Sequence, residues 1–107
     1  MGTQSTVAIV FDFDDTLVPD STTGLLESRV VDTQRFWESD VASLIKDGWD
    51  APLAVIKALI DLTAVGRPLE GLTSADLRAF GSSIVPYPGL EGFLEEVPSF
   101  VRSRKPW

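Results

Sequence analysis

The 107-residue chain contains no cysteine, no histidine, one methionine and one tyrosine. Without Cys there is no disulfide and no thiolate metal site. Without His, imidazole proton transfer, the Ser-His-Asp triad and nitrogen-ligated zinc are excluded. Positive charge is scarce as well. Nine Lys and Arg against 16 Asp and Glu give a net charge of −7, which repels phosphate backbones, so no nucleic-acid partner is expected. The one basic cluster, Arg102, Arg104 and Lys105, is too small to change that. No apolar run approaches the roughly 20 residues of a membrane span, so no membrane partner is expected. The first residues lack a basic n-region followed by an apolar h-region, and a cytoplasmic location is the expectation. Met1-Gly2-Thr3-Gln4-Ser5-Thr6 fits the loose myristoylation pattern, but a buried strand expected from Val7 onward argues against an anchor there.

What is present is ordinary for a globular protein of one domain: 44% apolar and 23% charged residues, enough to argue against wholesale disorder. Chemistry on such a chain must run on carboxylates, hydroxyls, Lys or Arg, or a hard cation held by oxygen. Val7 to Phe13 reads VAIVFDF, a run that suits a strand covered on both faces.

The rest of the chain has helical character. Ser21 is a plausible N-cap for a helix from about Thr22 to Val30, and Asp32 or Thr33 for one through Phe36, Trp37, Val41, Leu44 and Ile45, with Gly48 as a left-handed stop. Asp50 and Pro52 open a third, with an apolar face of Leu53, Ile56, Leu59, Ile60 and Thr63, ended by Gly66 and Pro68. Thr73-Ser74-Ala75-Asp76 reads as a capping box for a short helix to Gly81. Ile84 to Gly89 reads as an extended connector. A last amphipathic helix begins at Leu90, Phe93, Leu94 and Val97, and Pro98 is expected to kink or end it. Phe36, Trp37, Trp49 and Phe80 are expected in the core of the helical part. Asp20, Glu27 and Arg29 are either ordinary surface charges or residues facing a site.

The stretch that carries chemistry is Ile9-Val10-Phe11-Asp12-Phe13-Asp14-Asp15-Thr16-Leu17. Positions i and i+2 of a strand face the same side, so Asp12 and Asp14 converge if the chain stays extended through Asp14. Two anions at the carboxyl end of a strand lie where open α/β sheets bind ligands, and they call for a hard cation, Mg²⁺ by preference where phosphate is bound. An acidic cluster after a strand is also the composition of a solvated turn that caps the next helix. What outweighs that turn reading is a family resemblance, carried by the segment from Pro86 to Leu94 downstream, the apolar run before the cluster and Thr16-Leu17 after it.

Those residues resemble the first motif, hhhh-D-x-D-x-T-[LV], of the haloacid dehalogenase (HAD) superfamily, with Asp15 where that family usually has Gly. The resemblance implies that Asp12 is the nucleophile that forms an aspartyl-phosphate and Asp14 the acid and base. It further implies Thr16 as a hydrogen-bonding support near the phosphate, and Asp12 with Asp14 as Mg²⁺ ligands. The layout is similar to family members that insert a helical cap directly after this motif. On that footing residues 1–20 are the first core strand and motif loop, 21–85 the cap, and 86–107 a return segment, Pro86-Tyr87-Pro88-Gly89, with the start of a core helix. The implied fold is α/β in ancestry, a HAD-like Rossmannoid core, yet mostly α in this chain, with the core sheet incomplete.

The family's later motifs are a Ser or Thr ending a second strand, a Lys or Arg, and an acidic pair. They have no counterpart here: Ser99 and Ser103 follow no β-type run, Lys105 stands two residues from the last, and no acid lies beyond Glu96. The expectation is a truncated HAD-like hydrolase, with a small phosphorylated substrate, most simply a phosphomonoester, and little activity alone. Phosphonate and haloacid chemistry stay open. The alternative is a non-catalytic binding or interaction module built on the cap helices, self-associating through the exposed first strand.

Overall fold

A computed structural model describes residues 6–104 of the chain; Met1 to Ser5 of the myristoylation pattern, and Lys105, lie outside the described residues. The described residues are mostly helical. In chain order they form α1 (Ser21–Ser28), a short α2 (Thr33–Arg35), a π-helical segment (Phe36–Val41), α3 (Ala42–Lys46), α4 (Ala51–Leu62), α5 (Ser74–Ser83) and α6 (Leu90–Ser103). The chain divides into two compact units, one made of Met1–Pro19 with Val85–Trp107 and the other of Asp20–Ile84.

The helical unit, 20–84, begins at Asp20, not at Ser21 as an N-cap. Its carboxylate accepts from the backbone N–H of Thr22 at 3.0 Å and of Thr23 at 3.2 Å. Asp32 caps α2 by accepting from the Arg35 N–H at 3.0 Å. The helix that follows is not uniformly α. Phe36 and Val41 are both buried, yet at 100° per residue a spacing of five points two side chains well apart. The wider π turn puts both on the core side, and the segment packs against α4. That helical run ends in a Schellman arrangement, with the Gly48 N–H on the Ile45 carbonyl and the Trp49 N–H on the Leu44 carbonyl, both at 3.0 Å. Gly48 takes φ +99°, which glycine adopts without a Cβ clash.

In α4 the buried side is Ala54, Ala58 and Leu62, with Val55 and Leu59 packed against the core. Leu53, Ile56 and Ile60 are exposed. The expected face of larger residues is thus rotated outward, because small side chains at 54 and 58 permit close approach of the π segment. The core is Leu26, Phe36, Val41, Ala54, Ala58, Leu62 and Leu69. Phe36 and Trp37 meet edge to face with centroids 4.9 Å apart, whereas Trp49 is exposed. Helix α5 opens with the expected capping box between Thr73 and Asp76 and runs past Gly81 to Ser83.

The other unit differs in kind. Among its described residues there is no strand or sheet: the segment Val7 to Phe13 belongs to no ladder, and the sole bridge nearby pairs Asp14 with Val18. Val7 is 84% and Val10 89% exposed. The expectation of a buried strand fails here because a strand leaves its N–H and C=O groups for neighbours to bond, and the described residues supply no neighbouring strand. Helix α6 starts after Gly89 at φ +89° and runs through Pro98 without ending there. The proline leaves the Leu94 carbonyl without its usual donor, and Leu94 is exposed, so water can take that donor's place.

Candidate functional site

Asp12, Asp14 and Thr16 occupy the turn that ends the apolar segment. Its organising atom is the Phe13 carbonyl oxygen, which accepts from three backbone N–H groups: Thr16 at 3.3 Å, Leu17 at 3.0 Å and Val18 at 3.3 Å. Within this turn Asp15 takes left-handed backbone, at φ +56°. Asp is among the few side chains that tolerate that region. The Thr16 hydroxyl reaches back to donate to Asp12 Oδ2 at 3.4 Å, a long contact at the edge of hydrogen-bond range. Asp12, Asp15 and Thr16 are exposed and Asp14 is half-buried.

The segment before α6 is tied to this turn by a backbone hydrogen bond, from the Tyr87 N–H to the Leu17 carbonyl at 2.9 Å. Phe11 meets Phe93 of α6 edge to face at 6.0 Å between centroids. The turn therefore links to a residue seventy positions later in the chain. The sequence carried a signal for the Asp15 conformation: an acidic run of this kind has the composition of a turn, and Asp tolerates left-handed backbone. The Tyr87 contact left no such signal.

Mg²⁺ demands near-octahedral oxygen ligation and usually keeps several waters. Asp12 and Asp14 offer two carboxylates, and no group of three or more acidic ligands occurs among the described residues. The set fits part of a Mg²⁺ shell and not a whole one. In the helical unit, Asp20 is engaged as a cap and also accepts from the Thr23 hydroxyl at 2.6 Å, which in turn accepts from the Trp37 indole N–H at 2.9 Å. Arg29 pairs with Asp76 at 3.4 Å, and Glu27 is exposed. Two open clefts of about 270 and 300 Å³ share Asp40 and Arg67 as lining residues, and neither includes the Asp12–Thr16 turn. Among the described residues no helix is long and apolar enough to cross a membrane.

No family model matches the chain, no curated protein is similar to it in sequence, and no solved structure matches its fold.

Proposed function

We propose that the chain carries the motif loop and helical cap of a cytoplasmic HAD-like hydrolase, of α/β ancestry, that cleaves phosphomonoesters. The observation that carries this reading is the interruption of one compact unit by another. Residues 1–19 group with 85–107, and the helical residues 20–84 are inserted directly after Asp12-Phe13-Asp14-Asp15-Thr16. A left-handed Asp15, at the position where the resembled motif usually holds Gly, adds to it.

In this reading an Asp12 carboxylate oxygen attacks phosphorus as the bond to the ester oxygen breaks, and Asp14 gives that oxygen its proton. Asp14 then takes a proton from the water that opens the aspartyl-phosphate. Thr16, donating to Asp12, limits the carboxylate's rotation. Mg²⁺, when bound by Asp12 and Asp14, offsets the repulsion between the anionic nucleophile and an anionic substrate. The phosphate-binding hydroxyl, the charge-neutralising Lys and the second acidic pair have no counterpart in the sequence. The electrostatic stabilisation that dominates phosphoryl transfer is therefore largely missing from these 107 residues.

The chain alone is accordingly expected to give no turnover of a generic phosphoester with Mg²⁺. Turnover abolished by Asp12→Asn would show that the set is complete after all. The genomic sequence downstream of the Trp107 codon tests the ancestry: a β-type run ending in Ser or Thr, then a Lys, then an acidic pair supports it, and their absence from every frame removes it. The exposed apolar residues of the 7–13 segment favour a second reading, a non-catalytic interaction module.

A further inference from the structure

Arg35 and Arg67 of the helical unit line one cleft of about 300 Å³, together with Asp32, Asp40 and the apolar residues Leu62 and Pro68. That volume stands near the lower bound of small-molecule sites, about 300 Å³, so a ligand for it is small. The backbone under each charged group is fixed. Arg35 ends α2, with its N–H on the Asp32 carboxylate at 3.0 Å and the buried Phe36 next in the chain. Arg67 stands in the turn after α4. There the Leu69 N–H bonds the Leu62 carbonyl at 2.9 Å, the Glu70 N–H bonds the Arg67 carbonyl at 3.0 Å, and Leu69 is buried. Asp40 belongs to the π segment, beside the buried Val41, and π turns inside helices recur at functional sites.

The charges in this cleft are not matched within the protein. Other cations of the chain have partners: Arg29 pairs with Asp76, Lys57 with Asp61, and Arg104 lies over the Phe100 ring. Among the described residues, neither the Arg35 nor the Arg67 guanidinium makes a hydrogen bond, an ion pair or a ring contact, and the half-buried Asp40 carboxylate makes none. Two cations and a free carboxylate are thus held around one space, beyond ion-pair distance of one another.

We infer that this cleft binds a small zwitterion, its carboxylate on the Arg35 and Arg67 guanidiniums and its protonated amine on Asp40. The planar guanidinium fork matches a carboxylate with two parallel hydrogen bonds. A simple anion would satisfy the arginines but lie beside the Asp32 and Asp40 carboxylates, and a simple amine would meet two arginines. A molecule carrying both charges pairs all three free groups. Being neutral overall, it is also not repelled by a chain of net charge −7. This inference does not rest on the catalytic reading, since no residue of the Asp12–Thr16 turn takes part.

Nuclear magnetic resonance titration of the full, isotopically labelled chain with glycine, β-alanine and γ-aminobutyrate tests it, with acetate and methylammonium as controls of one charge each. At least one of the three zwitterions should give saturable shifts at the amides of Arg35, Asp40 and Arg67, with a Kd of about 1 mM, and both controls should bind about tenfold more weakly. Arg35→Gln and Arg67→Gln should each weaken that zwitterion about tenfold. Asp40→Asn should weaken it as much while strengthening acetate, because a repelling charge is removed. Unchanged amide shifts elsewhere show that each variant keeps its fold. No saturable shift from any of the three zwitterions up to about 100 mM overturns the inference. So does acetate binding as tightly as the zwitterion and indifferent to Asp40→Asn, which would make the cleft a plain anion site.

Discussion

The two units draw on similar amino acids and reach opposite outcomes. In 20–84, Leu26, Phe36 and Leu69 are almost wholly buried and lie with Ala54, Ala58, Val41 and Leu62 at or near one core. In the other unit Val7, Ile9, Val10, Phe11, Phe13, Phe93 and Phe100 are all exposed, and Val18 is the buried residue among those described. Apolar content does not account for the difference. A helix satisfies its own backbone and needs only one face covered, so a few short helices suffice to close a core. An extended segment must find backbone partners on its edges before its side chains have anything to pack against. The carboxylates that carry the candidate chemistry sit in the unit with the unfinished core. A catalytic pair needs supporting residues to hold its geometry, and the Thr16 hydroxyl meets Asp12 only at the long distance of 3.4 Å.

The sharpest way to break this comparison is amide hydrogen exchange, since it reads both units in one sample. Interior amides of α4 should exchange only through opening of the whole helical unit, while amides of residues 7–13 should exchange close to unstructured rates. The expected separation approaches the entire stability of the helical unit, of order 5 kcal/mol for a small domain. Comparable protection in both places would mean that the 7–13 segment has found partners, in a second copy or elsewhere.

Next in size is the removal of one large side chain from each unit. Phe36→Ala should cost about 3–5 kcal/mol in urea unfolding, because Phe36 is fully buried and edge-packed on Trp37. Phe13→Ala, at a residue 53% exposed, should change stability by no more than about 0.5 kcal/mol. Similar losses from the two would sink the division into a closed and an open unit.

How much of this was legible in the sequence follows the same divide. Most local signals read true: Asp32, one of two residues offered as a cap, Gly48 as a left-handed stop, and Thr73 with Asp76 as a capping box are each set by a few neighbouring atoms, although the first cap falls on Asp20 and not on Ser21. Signals that depend on what lies opposite did not. The face of α4 was misplaced because Leu53, Ile56 and Ile60 are the larger residues, whereas the fit against the π segment selects Ala54 and Ala58. The π turn itself follows from a five-residue spacing, Phe36 to Val41, that no α-helical pattern contains. The Val7–Phe13 segment has the composition of a buried strand, but composition cannot supply the neighbour it needs. At the candidate site, the residues of the turn were legible, and the tie from Tyr87 to Leu17 was not.

A smaller effect sharpens the account of the helical unit. The Thr73 hydroxyl and backbone N–H hold the Asp76 carboxyl below its ordinary value of 3.8, with Arg29 adding to the effect and burial opposing it. A lowered folded value means that this carboxylate stabilises the fold above pH 3.8 and that its contribution is lost as pH falls through the lower folded value. Acid unfolding of Asp76→Asn, followed by circular dichroism, should therefore show a shallower loss of stability below pH 3.8 than the native chain. Thr73→Ala removes the cap and should cost about 1 kcal/mol at neutral pH. A chain indifferent to Thr73→Ala would show that α5 contributes little to the unit.

The smallest effect expected is a gain. Helix α1 ends with the Val31 N–H on the Leu26 carbonyl and the Val30 N–H on the Glu27 carbonyl, each at 3.0 Å, a Schellman arrangement that requires left-handed backbone at residue 30. Glycine normally stands there, but this chain has a β-branched valine at φ +58°, 91% exposed. Left-handed backbone costs a residue with a Cβ roughly 1–2 kcal/mol, and an exposed side chain recovers little of that by packing. Val30→Gly should relieve the clash while losing about 0.5–1 kcal/mol to the freedom of glycine in the unfolded chain. The net expectation in urea unfolding is a stabilisation of about 0.5–1 kcal/mol. A strained turn of this kind persists only where the surrounding structure dictates the backbone, and Leu26, fully buried one turn earlier, anchors α1 in the core. A loss of stability on Val30→Gly would mean that the valine makes a contact worth more than the strain, and it would place a partner on an otherwise bare corner of the closed unit.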